Sequence, residues 1–190
     1  MLALVSSTDP RWVDVALGDL DAVLVDHLHC ELKAASNATA LVTRYVYHPR
    51  LVRELAELAR EELSHVGQVH DELARRGLSA RPPDEDAYAR ALRRALDDRK
   101  GEPLLDRLAV ASIIEARSCE RFQLLSLHAP TPALRAWYHD LFASEARHCR
   151  LFASLAEELH GEDRARERIR TLAEREAEIL SKMPVLPRVH

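Results

Sequence analysis

The sequence predicts an all-α protein built on a four-helix bundle, with a helical crossover and an additional C-terminal helix. Only five glycines occur in 190 residues, which leaves little material for the tight turns of β-hairpins. Apolar residues instead recur at steps of three and four along four long segments, the period of one helix face. A glutamate interrupts each of these four apolar stripes near its middle. The whole chain, residues 1–190, is expected to form a single domain.

Proline, glycine and capping residues set the boundaries of the first two helices. The first helix is predicted over about residues 10–47, with Asp9 as its N-cap. Pro49 breaks it, because proline cannot continue the hydrogen-bonding pattern of a helix. The second helix then runs over about 49–76, and Gly77 is its expected C-cap.

The second half of the chain begins with a crossover over about residues 77–101. A short amphipathic segment, 85–99, lies inside it. The third helix is expected from about 103 to 128 and the fourth from about 132 to 160, since prolines mark both starts. A strongly charged accessory helix follows over about 162–182.

Six candidate metal ligands lie on the apolar stripes. They are Glu31 on the first helix, Glu62 and His65 on the second, Glu115 on the third, and Glu145 and His148 on the fourth. Each histidine follows its glutamate by three positions, so the two side chains share one helix face. The glutamate spacing in the two helical hairpins differs by a single residue. This repeat predicts a pseudo-two-fold site.

The residue types explain why such a site needs metal. Burying a carboxylate without a partner costs on the order of several kcal/mol of folding free energy. Two divalent cations balance four carboxylates, and carboxylate with imidazole suits iron or manganese. This donor set is typical of ferritin-like di-iron and di-manganese proteins. The alternative is that these residues are hydrogen-bonded core groups or surface pairs.

Several neighbouring residues allow two interpretations. His27 precedes Glu31 by one helical turn, and Tyr138 lies on the fourth stripe. Both are candidates for supporting the ligands, although a hydrogen-bonded core histidine and a packing tyrosine explain them equally well. Glu61 and Glu120 lie off the stripes and are expected not to bind metal.

Composition narrows the class of protein further. The three cysteines, Cys30, Cys119 and Cys149, show no pairing pattern, which favours buried thiols in a reducing cytoplasm. No apolar run approaches the roughly 20 residues that span a bilayer, so no membrane association is expected. The net charge of −4 does not indicate a nucleic-acid binder.

Four segments resemble the bacterial tRNA 2-methylthio-isopentenyl-adenosine hydroxylases, and the resemblance covers nearly the whole chain. They read DHLHCELKAAS, REELSHV, IIEARSCERF and SEARHCRLF. That family consists of ferritin-like, non-haem di-iron monooxygenases. The resemblance implies two iron ions held by the six candidate ligands, O2 as cosubstrate and an external electron donor. It also implies hydroxylation of the isopentenyl group on an adenosine next to the anticodon of tRNA.

The expected partners are therefore the anticodon loop of tRNA and an electron-transfer protein. One candidate RNA-binding patch lies in the crossover and comprises Arg90, Arg93, Arg94, Arg99 and Lys100. A second comprises Arg164, Arg166, Arg168 and Arg170 on the last helix. Acidic residues interleave both runs, so ordinary solvated helix faces are the alternative.

Other functions remain open from sequence, because the metal motif is shared with bacterioferritins and rubrerythrins. An iron-storage or peroxide-detoxifying di-metal protein is the main alternative. A manganese catalase and a binding module without turnover are the others. The segment EARSCERF favours the hydroxylase over these.

Overall fold

A computed structural model of the protein describes residues 4–82, 86–95 and 102–190. Within these ranges every regular element is an α-helix, which confirms the all-α class. The helices are α1 (Arg11–Gly18), α2 (Leu20–Arg44), α3 (Pro49–Arg75), α4 (Ala87–Ala95), α5 (Pro103–His128), α6 (Pro132–His160) and α7 (Glu162–Leu180). Among the described residues, no helix is both long and apolar enough to cross a membrane.

The chain forms two compact units. The first, called here the hairpin unit, comprises Gly18–Asp84 and Pro187–Val189 and contains α2 and α3. The second, called here the five-helix unit, comprises Met1–Leu17, Glu85–Leu186 and His190. A single domain over 1–190 stays a prediction.

In the hairpin unit, α2 and α3 pack against each other through their apolar stripes. The buried residues include Leu24, Leu28 and Leu41 on α2 and Leu51, Leu55 and Leu58 on α3. The connection between them is a short turn. It is closed by a hydrogen bond from the backbone N–H of His48 to the carbonyl of Tyr45 at 3.0 Å, and α3 starts directly afterwards at Pro49. The candidate ligands of both helices lie on these same buried stripes.

The prediction of one continuous first helix was wrong, because the chain breaks between α1 and α2. Asp19 has a non-helical backbone (φ −142°, ψ 64°), and its Oδ1 accepts a hydrogen bond from the N–H of Ala22 at 3.0 Å. Gly18 precedes it and is a weak helix former. Asp19 therefore caps a new helix, which an aspartate side chain does well.

The predicted C-cap at Gly77 is confirmed. Its φ of +69° lies in the left-handed region, which glycine adopts without a steric penalty. The N–H of Leu78 donates to the carbonyl of Leu73 at 2.9 Å, and that of Gly77 donates to Ala74 at 3.0 Å. This pair of bonds is the Schellman motif, which satisfies the last carbonyls of a helix.

In the five-helix unit, α5 and α6 form a long pair and α7 packs on α4, α5 and α6. The predicted crossover segment contains α4, and the rest of it after Ala95 lies outside the described residues. One buried cluster joins α4, α5 and α7 and includes Tyr88, Leu92, Ala109, Ile113, Ile169 and Leu172. The accessory C-terminal helix, α7, is thus confirmed as part of this unit.

A buried ion pair links α5 to α7. Arg117 Nε and Nη2 each donate to one carboxylate oxygen of Glu176 at 2.9 Å, and both side chains are fully buried. The hydroxyl of Tyr88 on α4 donates to the same carboxylate at 3.0 Å. Three helices therefore meet at one charged group.

The N-terminal segment is fixed to the same guanidinium. Arg117 donates to the carbonyl of Ser6 at 2.9 Å and to the hydroxyl of Thr8 at 3.1 Å, and its Nη1 also contacts Glu120. The N–H of Thr8 donates to Glu120 in turn. All five N–H donors of Arg117 are therefore used within this network.

Candidate metal centre

The hairpin unit contains three of the six candidate metal ligands. Glu31 on α2 and Glu62 and His65 on α3 are all buried. His65 Nδ1 lies 3.3 Å from Glu31 Oε2 and 3.3 Å from Glu62 Oε2. One ligand atom from each of the three lies within 4.8 Å of the others. These three residues are called the first triad below.

The two carboxylates of the first triad favour a positive charge on His65. Burial by itself lowers the pKa of His65, but the carboxylates of Glu31 and Glu62 raise it to about 10. In this form a proton on the imidazole offsets part of the carboxylate charge. A metal ion needs the neutral imidazole and therefore has to displace that proton.

The five-helix unit contains the other three candidate metal ligands. Glu115 on α5 and Glu145 and His148 on α6 are buried, and His148 Nδ1 lies 3.7 Å from Glu145 Oε2. Again one ligand atom from each lies within 4.8 Å of the other two. These residues, the second triad, repeat the donor types of the first triad in the same order along the chain.

The residues present fit a metal. Each triad places two carboxylates and one imidazole in a buried setting, where charge without a counter-ion is costly. The buried guanidinium of Arg117 does not supply that counter-charge, since its donors are used on Glu176, Glu120 and the N-terminal segment. Oxygen and imidazole donors together suit iron or manganese.

Two acidic or imidazole side chains near the six predicted ligands in sequence have other partners in the structure. Glu120, the weaker sequence candidate, binds Thr8 and Arg117. His29 Nε2 lies 2.7 Å from the carbonyl of Arg81, beyond the end of α3. Neither residue belongs to a triad.

His27 contacts a candidate ligand directly. It is fully buried, and its Nε2 lies 2.7 Å from Glu31 Oε1. Glu31 therefore has an imidazole against each carboxylate oxygen, His27 on Oε1 and His65 on Oε2. The position one turn before Glu115 is occupied by Ala111, so the second triad has no such histidine at the equivalent place.

Tyr138 is also fully buried on α6. Its ring packs against Phe122, with ring centres 5.5 Å apart, and against Trp137 at 4.9 Å. Packing accounts for its burial, and a role at the metal stays a prediction.

The two candidate RNA patches differ in the structure. On α4, Arg93 and Arg94 are exposed and Arg90 is half-buried, while Arg99 and Lys100 lie outside the described residues. The four arginines of the candidate patch on α7 pair with acids: Arg164 with Glu102, Arg166 with Glu157 and Glu162, Arg168 with Asp106, and Arg170 with Glu167 and Glu174. The α7 face is therefore largely self-neutralised.

The network around Arg117 and Glu176 was missed by sequence reasoning. The two residues are 59 positions apart in sequence, and Glu176 lies in a helix rich in charge. The only sequence feature that could have indicated this ion pair is that Arg117 and Glu176 occupy positions that continue the apolar faces of their helices.

The helical fold and the two buried carboxylate–histidine triads define a ferritin-like protein with a donor set for two metal ions. The family model described as tRNA-(MS2IO6A)-hydroxylase (MiaE) matches residues 2–190, and the chain belongs to that family.

Two curated relatives agree with this family. Both are named tRNA 2-(methylsulfanyl)-N(6)-isopentenyladenosine(37) hydroxylase. The Pseudomonas putida protein is 43% identical over 149 residues, covering 78% of this chain and 72% of its own length. The Salmonella typhimurium protein is 27% identical over 224 residues, covering 93% of this chain and 80% of its own.

A solved structure shares the fold over the full chain. It is titled "Protein 43 with aldehyde deformylating oxygenase activity from Synechococcus". Its TM-score is 0.92 at 41% identity, and the match covers 100% of this chain and 96% of that one.

Proposed function

We propose that this protein is an O2-dependent di-iron monooxygenase that hydroxylates the isopentenyl group of 2-methylthio-isopentenyl-adenosine next to the anticodon of tRNA. The observation that carries the proposal is the family match over residues 2–190 together with a relative at 43% identity that bears this name. The six candidate ligands are all present and buried, which supports a catalytic rather than a degenerate member. A cytoplasmic location follows from a tRNA substrate.

The six candidate ligands are proposed to bind two iron ions. Four carboxylates carry a charge of −4, which two divalent ions offset, and each triad adds one imidazole. When bound, the iron pair supplies electrons to O2 and the oxidising power that breaks an allylic C–H bond. The hydroxylation places one oxygen atom of O2 in the substrate and reduces the other to water. Two electrons and two protons must therefore come from an external donor.

The protein's own residues have three tasks in this proposal. His65 gives up its proton when metal binds, because only a neutral imidazole coordinates. His27 holds one oxygen of Glu31 through the 2.7 Å contact and so fixes the direction of the other. The burial of all six ligands keeps bulk water from the reacting centre.

An unpaired base of tRNA can reach ligands that are buried among helices. The modified adenosine lies in a single-stranded loop, so it can be turned out of the loop without opening a duplex. Phosphate contacts then set the register of the RNA. Arg93 and Arg94 are exposed on α4 and remain the candidates for that contact.

A single turnover tests the proposal without the natural electron donor. The iron-loaded protein is fully reduced and mixed with O2 and with tRNA that carries the unhydroxylated nucleoside. The tRNA is then digested, and the masses of its nucleosides are measured by mass spectrometry. We expect a mass increase of one oxygen atom on the isopentenyl-adenosine. Glu62→Ala is the matched control, because loss of one ligand should remove both the iron and the added oxygen.

Oxidised iron with unchanged tRNA would contradict the hydroxylase and favour storage or peroxide removal. An iron-storage protein would also assemble into a large shell, so the particle mass measured on the same sample separates these two functions.

Aldehyde deformylation is a second candidate, because the Synechococcus protein with that activity matches the whole chain at 41% identity. The same reduced protein is mixed with O2 and an aldehyde, and release of the formyl carbon is measured. Release at a rate comparable with tRNA hydroxylation would support a double activity, whereas release without tRNA hydroxylation would replace the proposed function.

A further inference from the structure

The turn between α2 and α3 carries an exposed aromatic and basic surface. Val46 and Tyr47 lie at its apex with 67% and 68% of their surfaces exposed, although both are largely apolar. Arg44 is exposed just before them, His48 and Arg50 are half-buried just after them, and Arg53 is exposed in the first turns of α3. These six residues are called the turn surface below. All of them belong to the hairpin unit.

The backbone holds this surface in a fixed shape. The N–H of Tyr45 donates to Leu41 at 2.9 Å, His48 closes the turn onto Tyr45 at 3.0 Å, and Pro49 restricts the residue before it. The ring of Tyr47 lies against His48, with ring centres 4.7 Å apart, and meets the buried Tyr45 edge-on at 6.3 Å. Tyr47 is therefore braced by its neighbours while most of its ring faces solvent.

The charge around the turn is unusual for this chain. No acidic residue occurs between Glu31 and Glu54, whereas the chain as a whole has a net charge of −4. The same stretch holds four basic residues: Lys33, Arg44, Arg50 and Arg53. Arg50 Nε lies 3.9 Å from Glu54 Oε1. On α7, by contrast, six acidic residues accompany five arginines.

A second copy of the chain is a poor occupant for this surface. Two copies that meet through the same patch would bring Arg44 and its neighbours close to their own equivalents, and like charges repel. A negatively charged polymer with exposed aromatic rings would instead be attracted to the basic residues and could stack on Tyr47. Single-stranded RNA offers both features, since its bases stack on aromatic side chains and its phosphates attract arginine.

We propose that the turn surface binds an unpaired segment of the tRNA substrate, with Tyr47 stacked on a base and Arg44 and Arg53 near phosphates. This proposal rests on the proposed function for the identity of the RNA. It adds a recognition surface on the hairpin unit, separate in sequence from the α4 arginines.

The stacking contact is tested with tRNA carrying the unhydroxylated nucleoside and iron-loaded protein. Tyr47→Ala should weaken binding about 5- to 150-fold, which corresponds to the loss of one stacked base. Tyr47→Phe should bind like the wild type, because the ring is kept. Leu127→Ala is the matched control, since Leu127 is a similarly exposed apolar residue at the end of α5 and its loss should leave affinity unchanged.

The phosphate contacts are tested through salt dependence. Removing one phosphate contact to a single strand should reduce the slope of log affinity against log salt by about 0.7. Arg44→Gln and Arg53→Gln should each show that reduction. Arg170→Gln, which removes an arginine already paired with Glu167 and Glu174, should not.

The outcomes separate this proposal from the proposed function. Wild-type hydroxylation with unchanged affinity in Tyr47→Ala and Arg44→Gln would overturn the turn surface and leave the function standing. Weakened binding in the variants, with no added oxygen even in the wild type, would support the surface and overturn the function. A change in oligomeric mass with unchanged tRNA affinity would show a contact between copies and overturn the RNA proposal.

Discussion

Glu31 has an imidazole against each oxygen of its carboxylate. His27 lies 2.7 Å from Oε1 and His65 lies 3.3 Å from Oε2. Glu115, its counterpart in the second triad, has Ala111 where Glu31 has His27. The two triads are therefore chemically different at this position, although their ligand motifs match.

His27→Leu should weaken iron binding roughly 10- to 100-fold, the usual cost of losing a residue that orients a ligand. His27→Gln should retain most of the affinity, because its amide can still donate to the carboxylate. Iron titration of the metal-free variants measures both. Equal weakening in the two variants would show that the hydrogen bond to Glu31 is not what matters.

The assignment of the ligands to the buried stripes can be tested with an adjacent pair. Glu62→Ala or His148→Ala should lower bound iron sharply, because each removes a donor from a triad. Glu61→Ala should retain the iron, since Glu61 lies off the stripe. Metal analysis after purification gives the result, and equal loss from all three variants would contradict the assignment.

Sequence reasoning was most successful at this scale where a pattern was local. The glutamates and histidines were found because each interrupts an apolar stripe at helical spacing. The role of His27 stayed open, since a buried histidine on a stripe has two readings until its distance to Glu31 is known. The exposure of Tyr47 was not predicted, because nothing in the sequence says which residue of a short turn faces solvent.

At the scale of helices, the ends were predictable and the first break was not. Gly77 and the prolines at the start of α3, α5 and α6 are short-range signals that act wherever they occur. Asp19 interrupts a segment whose apolar period continues on both sides, so the pattern concealed the break. Its cap on Ala22 decided the outcome.

The ion pair between Arg117 and Glu176 should be the most sensitive polar contact between helices. Arg117→Leu should destabilise the fold by about 3–5 kcal/mol, because it leaves the Glu176 carboxylate buried without its partner. Changing both residues to leucine should cost less than Arg117→Leu alone, since neither member of the pair is then left buried and charged. Urea unfolding of the three proteins measures this, and a double variant less stable than the single one would contradict it.

The buried hydroxyl of Tyr88 should make the stability of the fold depend on pH in the alkaline range. Burial, and then the neighbouring Glu176 carboxylate, raise the pKa of Tyr88 well above its ordinary value. The unfolded tyrosine ionises near pH 10, at roughly its reference pKa, while the folded one stays neutral. The stability from this group is therefore complete below pH 10 and is lost as the pH rises further.

Unfolding midpoints in urea should accordingly fall between pH 9 and pH 11 more steeply for the wild type than for Tyr88→Phe. Parallel curves for the two proteins would show that Tyr88 does not contribute to the pH dependence.

For the molecule as a whole, net charge works against the proposed substrate. The chain carries −4, so tRNA binding has to come from local groups of basic residues that outweigh a repulsive background. For this reason the net charge alone did not indicate a nucleic-acid binder. The pairing seen along α7 shows why a count of arginines is a poor guide, because most of that charge is already neutralised.

Arg93 and Arg94 on α4 are the other candidate phosphate contacts of this molecule. Charge reversal at Arg93 and Arg94 together should weaken tRNA binding and lower its salt dependence, because both side chains are exposed and α4 contains no acidic residue. Reversal at Arg166 and Arg170 changes the net charge by the same amount on a face that already pairs its own charges, so it serves as the control. Affinity measured at several salt concentrations distinguishes a local contact from a general effect of net charge. Equal weakening by both double variants would remove the α4 patch as a specific contact, and the turn surface would then be the remaining site for the RNA.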